Sequence, residues 1–245
     1  MAIDSQMLAG RTIIVTRAAD RAGGLTSLLI EAGATVLEIP VTTTIDAGDG
    51  GRELQTAINN IEQYDWVVVT SPEGAHRFRN ATALLGASPR QFKIAAVGTA
   101  TAEAVGGADL IPNVQTGRSL GESFPTGQGR ILLAVAESAG TDFEVAARGK
   151  GWTIDRVTTY RTVSITPTHD RSGDISQADA ITFASASSAR AWHDVFGVTM
   201  PKVVVAMGPM TASALSELGI PDVVVATEQS LKGVVTATVE ALASR

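Results

Sequence analysis

The segment AAVGTATAEAVGG at 95–107 returns as VAMGPMTASALSELG at 205–219, and each copy follows an earlier serine-bearing strand end, VVVTSPEGA at 67–75 and ITFASASSA at 181–189. Each pair reads as a short β-branched strand, a turn of glycine, serine or threonine, and a helix. A chain that builds this turn twice, with hydroxyl residues at equivalent places, is expected to fold as two similar lobes facing one ligand. A second pair surrounds the first. GRTIIVT to GATVLEIPVTTT (10–44) matches GRILLAV to GWTIDRVTTYRT (129–162). The order of the blocks differs, however. The second type precedes one serine block at the N-terminus and follows the other in the middle of the chain, so the middle is predicted to be one lobe inserted into another made from both ends.

Seven β-branched runs, at 11–16, 65–70, 92–97, 130–135, 179–184, 202–207 and 222–227, have the continuous apolar character of strands buried on both faces. Helical patterns lie between them at 20–32, 73–85, 100–106, 141–149, 187–196, 210–218 and 230–243. Alternation of strand and helix predicts an α/β fold with right-handed crossovers, here two similar flavodoxin-like or Rossmann-like lobes with parallel sheets. The expected boundaries are residues 1–39 with 168–245 for the discontinuous lobe and 46–156 for the inserted one. Strands at 40–45 and 157–167 are expected to join them, because VLEIPVTTTI (36–45) and IDRVTTYRTVSI (154–165) are extended in propensity. Such a paired connector would permit hinge motion.

The 245 residues suit two domains, and no apolar run approaches the roughly 18 residues of a membrane span. The N-terminal MAIDSQMLAGR lacks the pattern of a secretory signal, so a cytoplasmic protein without membrane attachment is expected. A net charge of −6 argues against nucleic acid as a partner, and the absence of cysteine excludes disulfides and thiol chemistry. His76, His169 and His193 have no metal-ligand spacing, so no metal is expected. The phosphate loop, the complete dinucleotide fingerprint and the nucleophile elbow are all missing. Glu31, Asp65, Glu73 and Asp179 fall on helix faces or strand entrances, where solvated or capping roles are expected.

What remains lies at the strand carboxyl ends: Thr16 and Arg17, Ser71, Thr101, Ser185 and Ser187, and Thr211. In open parallel sheets ligands sit outside these ends, where backbone N–H groups and hydroxyls can hold carboxylates or phosphates. A single such hydroxyl is explained as a helix cap. The repeated set points to an anionic ligand. Tyr160, in TTYRT, could donate a hydrogen bond to a leaving group, or it could simply pack in a strand pair.

Six segments in order resemble those of the uroporphyrinogen-III synthase family: VTRAADRAGGLTSLLIEAGATVLEIP, YDWVVVTSPEGAHRF, IAAVGTATAEAV, GWTIDRVTTYRT, DAITFASASSARAW and VVVAMGPMTASALSELGIPDVVVA. The resemblance implies a cytoplasmic enzyme of tetrapyrrole biosynthesis, using no metal or organic cofactor and expected to act as a monomer. Its substrate would be hydroxymethylbilane, a linear tetrapyrrole polycarboxylate, closed to uroporphyrinogen III with inversion of the last ring and loss of water. It also implies that Tyr160 assists departure of the hydroxyl. Thr16, Arg17, Ser71, Thr101, Ser185, Ser187 and Thr211 would hold substrate carboxylates. Val135 stands where relatives often carry arginine, and Met210 where threonine is usual. The competing readings are a non-catalytic two-lobed binding module for a small polyanion and a Rossmann-like oxidoreductase, the latter disfavoured by the missing glycine fingerprint.

Overall fold

The computed structural model describes residues 6–17, 19–83, 91–169 and 171–244. The chain divides into two compact units, one formed by Met1–Thr43 with Val163–Arg245 and the other by Thr44–Thr162.

The first unit contains β1 (Thr12–Val15), α1 (Ala19–Glu31) and β2 (Thr35–Glu38) from the N-terminal part of the chain. The C-terminal part supplies the rest, beginning after two strands that span the unit boundaries, β3 (Thr42–Asp46) and the long β7 (Thr153–Ser164). The second unit adds α2 (Arg52–Asn59), a 3₁₀ turn (Ile61–Gln63), β4 (Trp66–Val69), α3 (Pro72–Ala83), β5 (Lys93–Ala96), α4 (Thr99–Val105), α5 (Gly117–Ser123), β6 (Arg130–Ala136) and α6 (Asp142–Gly149). The returning chain forms α7 (Ser172–Gln177), β8 (Ala180–Phe183), α8 (Ala186–Phe196), β9 (Val203–Ala206), α9 (Pro209–Glu217), β10 (Val224–Val225) and α10 (Leu231–Ala243).

The sheet of the first unit runs β10-β9-β8-β1-β2 with parallel pairing throughout. That of the second runs β3-β7-β6-β4-β5, and Leu110 adds a parallel bridge beside Ala95 at its β5 edge. Aligning β1 with β6, β2 with β7, β8 with β4 and β9 with β5 gives both sheets the doubly wound order 2-1-3-4-5, with β10 and the Leu110 bridge as the fifth member. The permuted repeat in the sequence is therefore a permuted strand order in space. Two aspartates mark the same equivalence. Asp65, before β4, accepts from the N–H of Arg130 at 2.9 Å, and Asp179, before β8, accepts from the N–H of Thr12 at 2.8 Å. Each carboxylate thus ties its strand to the neighbour that begins the repeat.

Continuous apolar strands follow from burial on both faces. In β1, Ile13 and Val15 join a core with Leu25, Leu29, Val234 and Val235, while Ile14 faces Phe183, Trp192 and Leu215 on the other side. In β4, Val67 and Val69 face Phe78 and Ala102, and Val68 faces Leu120, Phe124 and Phe143.

The predicted strand at 222–227 shrinks to Val224–Val225 at a sheet edge, where it pairs with β9. The helices α2, α5 and α7 lie outside the predicted helical patterns and are short, although α2 buries Leu54, Ala57 and Ile58 along one face. The start of α2 is fixed by Asp49, which accepts from the N–H groups of Glu53 at 2.6 Å and Gly51 at 2.9 Å. These bonds hold its carboxyl below the usual carboxylate range. The last positions of the predicted 73–85 helix lie outside the described residues.

Candidate functional site

The expected site residues collect at the strand carboxyl ends of each unit. In the second unit the centre is Tyr160. Pairing of β6 with β7 shifts between Val135 and Ala136, so that Val135 lies opposite Thr158 and Ala136 opposite Tyr160. Thr159 is the extra residue, and its buried hydroxyl donates to the Val135 carbonyl at 3.0 Å. This bulge re-aims the side chain that follows it. The Tyr160 hydroxyl donates to Ser71 Oγ at 3.1 Å, and the residue is only 5% exposed.

Ser71 stands where β4 turns into α3, and its Oγ also accepts from the N–H of Gly74 at 3.1 Å. Strand and helix approach closely at Gly74, where an added Cβ would press on Ser71 Oγ at 3.2 Å and on the Ala134 carbonyl at 3.4 Å. Thr101 is buried in the first turn of α4, after the adjacent strand β5.

Arg77 was not singled out by sequence reasoning. Its guanidinium carbon lies 5.8 Å from the Tyr160 ring centroid, within cation–π range, while its nitrogens bond Glu73 at 2.6 Å and Asp46 at 2.5 Å. Burial works against the charge of Arg77, but the bonds to Asp46 and Glu73 outweigh it and hold the guanidinium above its ordinary value. Glu73, read from sequence as capping or solvated, instead pairs with this arginine. The i,i+4 spacing of Glu73 and Arg77 was the legible part of that signal; its meeting with Asp46 and Tyr160 depends on the fold.

In the first unit the switch point of the sheet lies between β1 and β8. Thr16 directly follows β1, fully buried, and its hydroxyl donates to the Thr182 carbonyl at 2.8 Å, while the Thr182 hydroxyl returns a bond to the Ile14 carbonyl at 3.1 Å. The Thr16 hydroxyl is thus occupied within the sheet, and a ligand could reach it only by displacing that bond. Arg17 follows, partly buried.

Across the switch point Ser185 caps α8, its Oγ accepting from the N–H of Ser188 at 3.2 Å and lying 2.9 Å from the exposed Ser187 Oγ. Thr211 is buried in the first turn of α9, matching Thr101 in α4. Met210 beside it is 79% exposed, whereas Val135 is buried in β6. The structure therefore joins Tyr160 and Ser71 directly, and places Thr16, Ser185 and Thr211 just beyond the carboxyl ends of the adjacent strands β1, β8 and β9.

Among the described residues no three His, Asp or Glu side chains are grouped so as to hold a metal ion, and no helix is long and apolar enough to cross a membrane. The chemistry at these strand ends is that of hydroxyls, the Tyr160 phenol, the guanidinium groups of Arg17 and Arg77 and backbone N–H groups, which can orient carboxylates and donate a hydrogen bond to a departing oxygen.

Comparison with known proteins matches residues 24–236 to the family described as uroporphyrinogen-III synthase HemD. The chain is 25% identical over 246 residues to the chloroplastic uroporphyrinogen-III synthase of rice, covering 94% of this chain and 80% of that protein. It is 33% identical over 165 residues to the uroporphyrinogen-III synthase of Synechococcus elongatus, covering 63% of this chain and 62% of that one. Among solved structures, a mutant uroporphyrinogen III synthase from Thermus thermophilus is similar in fold, with a TM-score of 0.64 at 20% identity, covering 96% of this chain and all of that one. The Helicobacter pylori enzyme has a TM-score of 0.62 at 15% identity, covering 96% of this chain and 100% of that one.

Proposed function

The chain belongs to the uroporphyrinogen-III synthase family, and from that premise we propose that it cyclises hydroxymethylbilane to uroporphyrinogen III. It is a lyase of tetrapyrrole biosynthesis that works without a cofactor. The observation that carries the residue assignment is the contact between Tyr160 and Ser71, a phenol aimed by a β-bulge at a strand-end hydroxyl.

In this reading the substrate supplies the reactive centre. The hydroxymethyl carbon loses its oxygen as Tyr160 donates a hydrogen bond to it, and a proton completes the departing water. The azafulvene cation that remains is attacked by the substituted α-carbon of ring D, giving a spiro-pyrrolenine. Breaking the old bridge bond leaves a second azafulvene cation on the neighbouring ring; the free α-carbon of ring D closes on it and loses its proton, which inverts the ring and balances the proton taken up by the departing water. The protein's contribution is orientation, an entropy-trap role in which a flexible chain is held for attack at the disfavoured carbon.

Arg17, Ser71, Thr101, Ser185, Ser187 and Thr211 hold substrate carboxylates through side chains and neighbouring N–H groups. Thr16 belongs to the same set by position and acts by fixing the end of β1 against β8. Arg77 holds the face of the Tyr160 ring. Cytoplasmic residence, action as a monomer, and independence of nucleic acid and membranes complete the proposal. The rice relative is, by its name, a chloroplast protein.

Purified protein given fresh hydroxymethylbilane is expected to yield the type III isomer after oxidation and chromatography. Only the type I isomer, as in the enzyme-free control, would contradict the proposal and leave the non-catalytic binding module in its place.

A further inference from the structure

Gly98 and Gly208, the residues that precede α4 and α9, have φ of −166° and −164°. This is extended backbone open to any residue, so conformation does not demand glycine. Serine, asparagine or aspartate would cap these helices somewhat better than glycine does. What the glycines provide is space. A Cβ on Gly98 would lie 2.1 Å from Gln115 Oε1, and one on Gly208 would lie 2.9 Å from Gln229 Oε1.

The two glutamines are equivalent. Gln115 lies between the Leu110 bridge and α5, directly before the capping Thr116; Gln229 lies between β10 and α10, directly before the capping Ser230. Their separation, 229 − 115 = 114, equals that of Ser71 and Ser185, 185 − 71 = 114. The hydroxyl after each glutamine is accounted for by its cap bond, from Ser119 N at 3.1 Å and from Gly233 N at 3.0 Å. The glutamines are not accounted for in this way. Both are exposed, and among the described residues neither side-chain amide has a hydrogen-bond partner. Whichever way the planar amide is turned, one end rests on a glycine and the other is left unbonded. Both lie at the strand carboxyl ends of their own unit, the side on which open parallel sheets bind ligands.

We propose that Gln115 and Gln229 are a matched pair of neutral carboxylate-binding arms, one per unit, each resting against a glycine. The inference rests on the synthase reading and assigns two carboxylate contacts beyond the strand-end hydroxyls. A primary amide donates to a carboxylate through Nε2; glutamate of the same shape offers only acceptors and repels it.

Quenching of the intrinsic tryptophan fluorescence by uroporphyrin III, a stable octacarboxylate, provides the test. Gln115→Glu and Gln229→Glu should each weaken binding at least about tenfold, and the alanine variants about threefold, the low end of the net contribution of one hydrogen bond. Gln177→Glu, at the amino end of β8, should leave binding unchanged. Wild-type-like binding by either glutamate variant overturns the pair, as does failure of the wild type to bind. Because all these positions are exposed, the variants should fold; if a glutamate variant does not, its alanine counterpart decides by the same criterion. Formation of the type III isomer by the wild type is measured separately. Unshifted binding by the variants with turnover retained removes the glutamines alone, whereas absence of the type III product removes the synthase reading.

Discussion

Replacing Tyr160 by phenylalanine deletes one oxygen from a residue that is 5% exposed and leaves the ring in place against Arg77. The deleted oxygen is the one that donates to Ser71 Oγ at 3.1 Å. Ser71 keeps the N–H of Gly74 as a donor, so no buried acceptor is orphaned. The stability cost should therefore be that of one neutral hydrogen bond, about 1 kcal/mol, or a fall in Tm of roughly 2–4 °C for a chain of this size. The catalytic cost should be larger in kind. Losing a positioned donor to the departing hydroxyl should lower kcat at least about tenfold, equivalent to about 1.4 kcal/mol of barrier. Thermal melting, paired with initial rates of type III formation at saturating substrate, separates the two effects. An unchanged kcat would remove Tyr160 from the reaction, and a fall in Tm well above 4 °C would show that the ring itself had moved. Ser71→Ala, alone and combined with the phenylalanine variant, should reveal non-additive rates if the two hydroxyls act as a unit.

Thr16→Val should destabilise the protein by about 1 kcal/mol through loss of the buried bond to the Thr182 carbonyl, while changing KM less than twofold; a tenfold rise in KM without loss of stability would show that the hydroxyl serves the substrate instead. Tyr64 is pushed up to about 12, first by burial and then by its hydrogen bond to Asp155. Because the folded value lies above the ordinary phenol value of about 10, its stabilisation is complete below pH 10 and is lost as pH rises from 10 to 12. Denaturant unfolding should therefore weaken over that interval more steeply in the wild type than in Tyr64→Phe; parallel curves would refute this.

The strands of the fold were legible because burial on both faces leaves a compact signature, as in Val67–Val69 and Val203–Val205. The permuted order of the blocks carried the strand topology with it. The short helices were less legible. Leu54, Ala57 and Ile58 do give α2 an apolar face at helical spacing, but its start is fixed by the carboxylate of Asp49, whose N–H donors are brought to it by the folded turn.

At the site, sequence could place hydroxyls at strand ends, but it could not distinguish Thr16, whose hydroxyl is inside the sheet, from the exposed Ser187. The bulge at Thr159 was equally hidden, since it arises from a register between two strands and not from either strand alone. Gln115 and Gln229 carried a signal in their matched spacing. That signal acquires chemical meaning only when each side chain is seen resting on its glycine.

The central claim is that the protein directs ring closure to the substituted α-carbon of ring D. Hydroxymethylbilane labelled with carbon-13 at both that carbon and the hydroxymethyl carbon tests it most directly. Turnover by the wild-type chain should create a one-bond carbon–carbon coupling between the two labels in the product, because inversion joins those atoms. A product without that coupling, closed instead at the free α-carbon, would contradict the account.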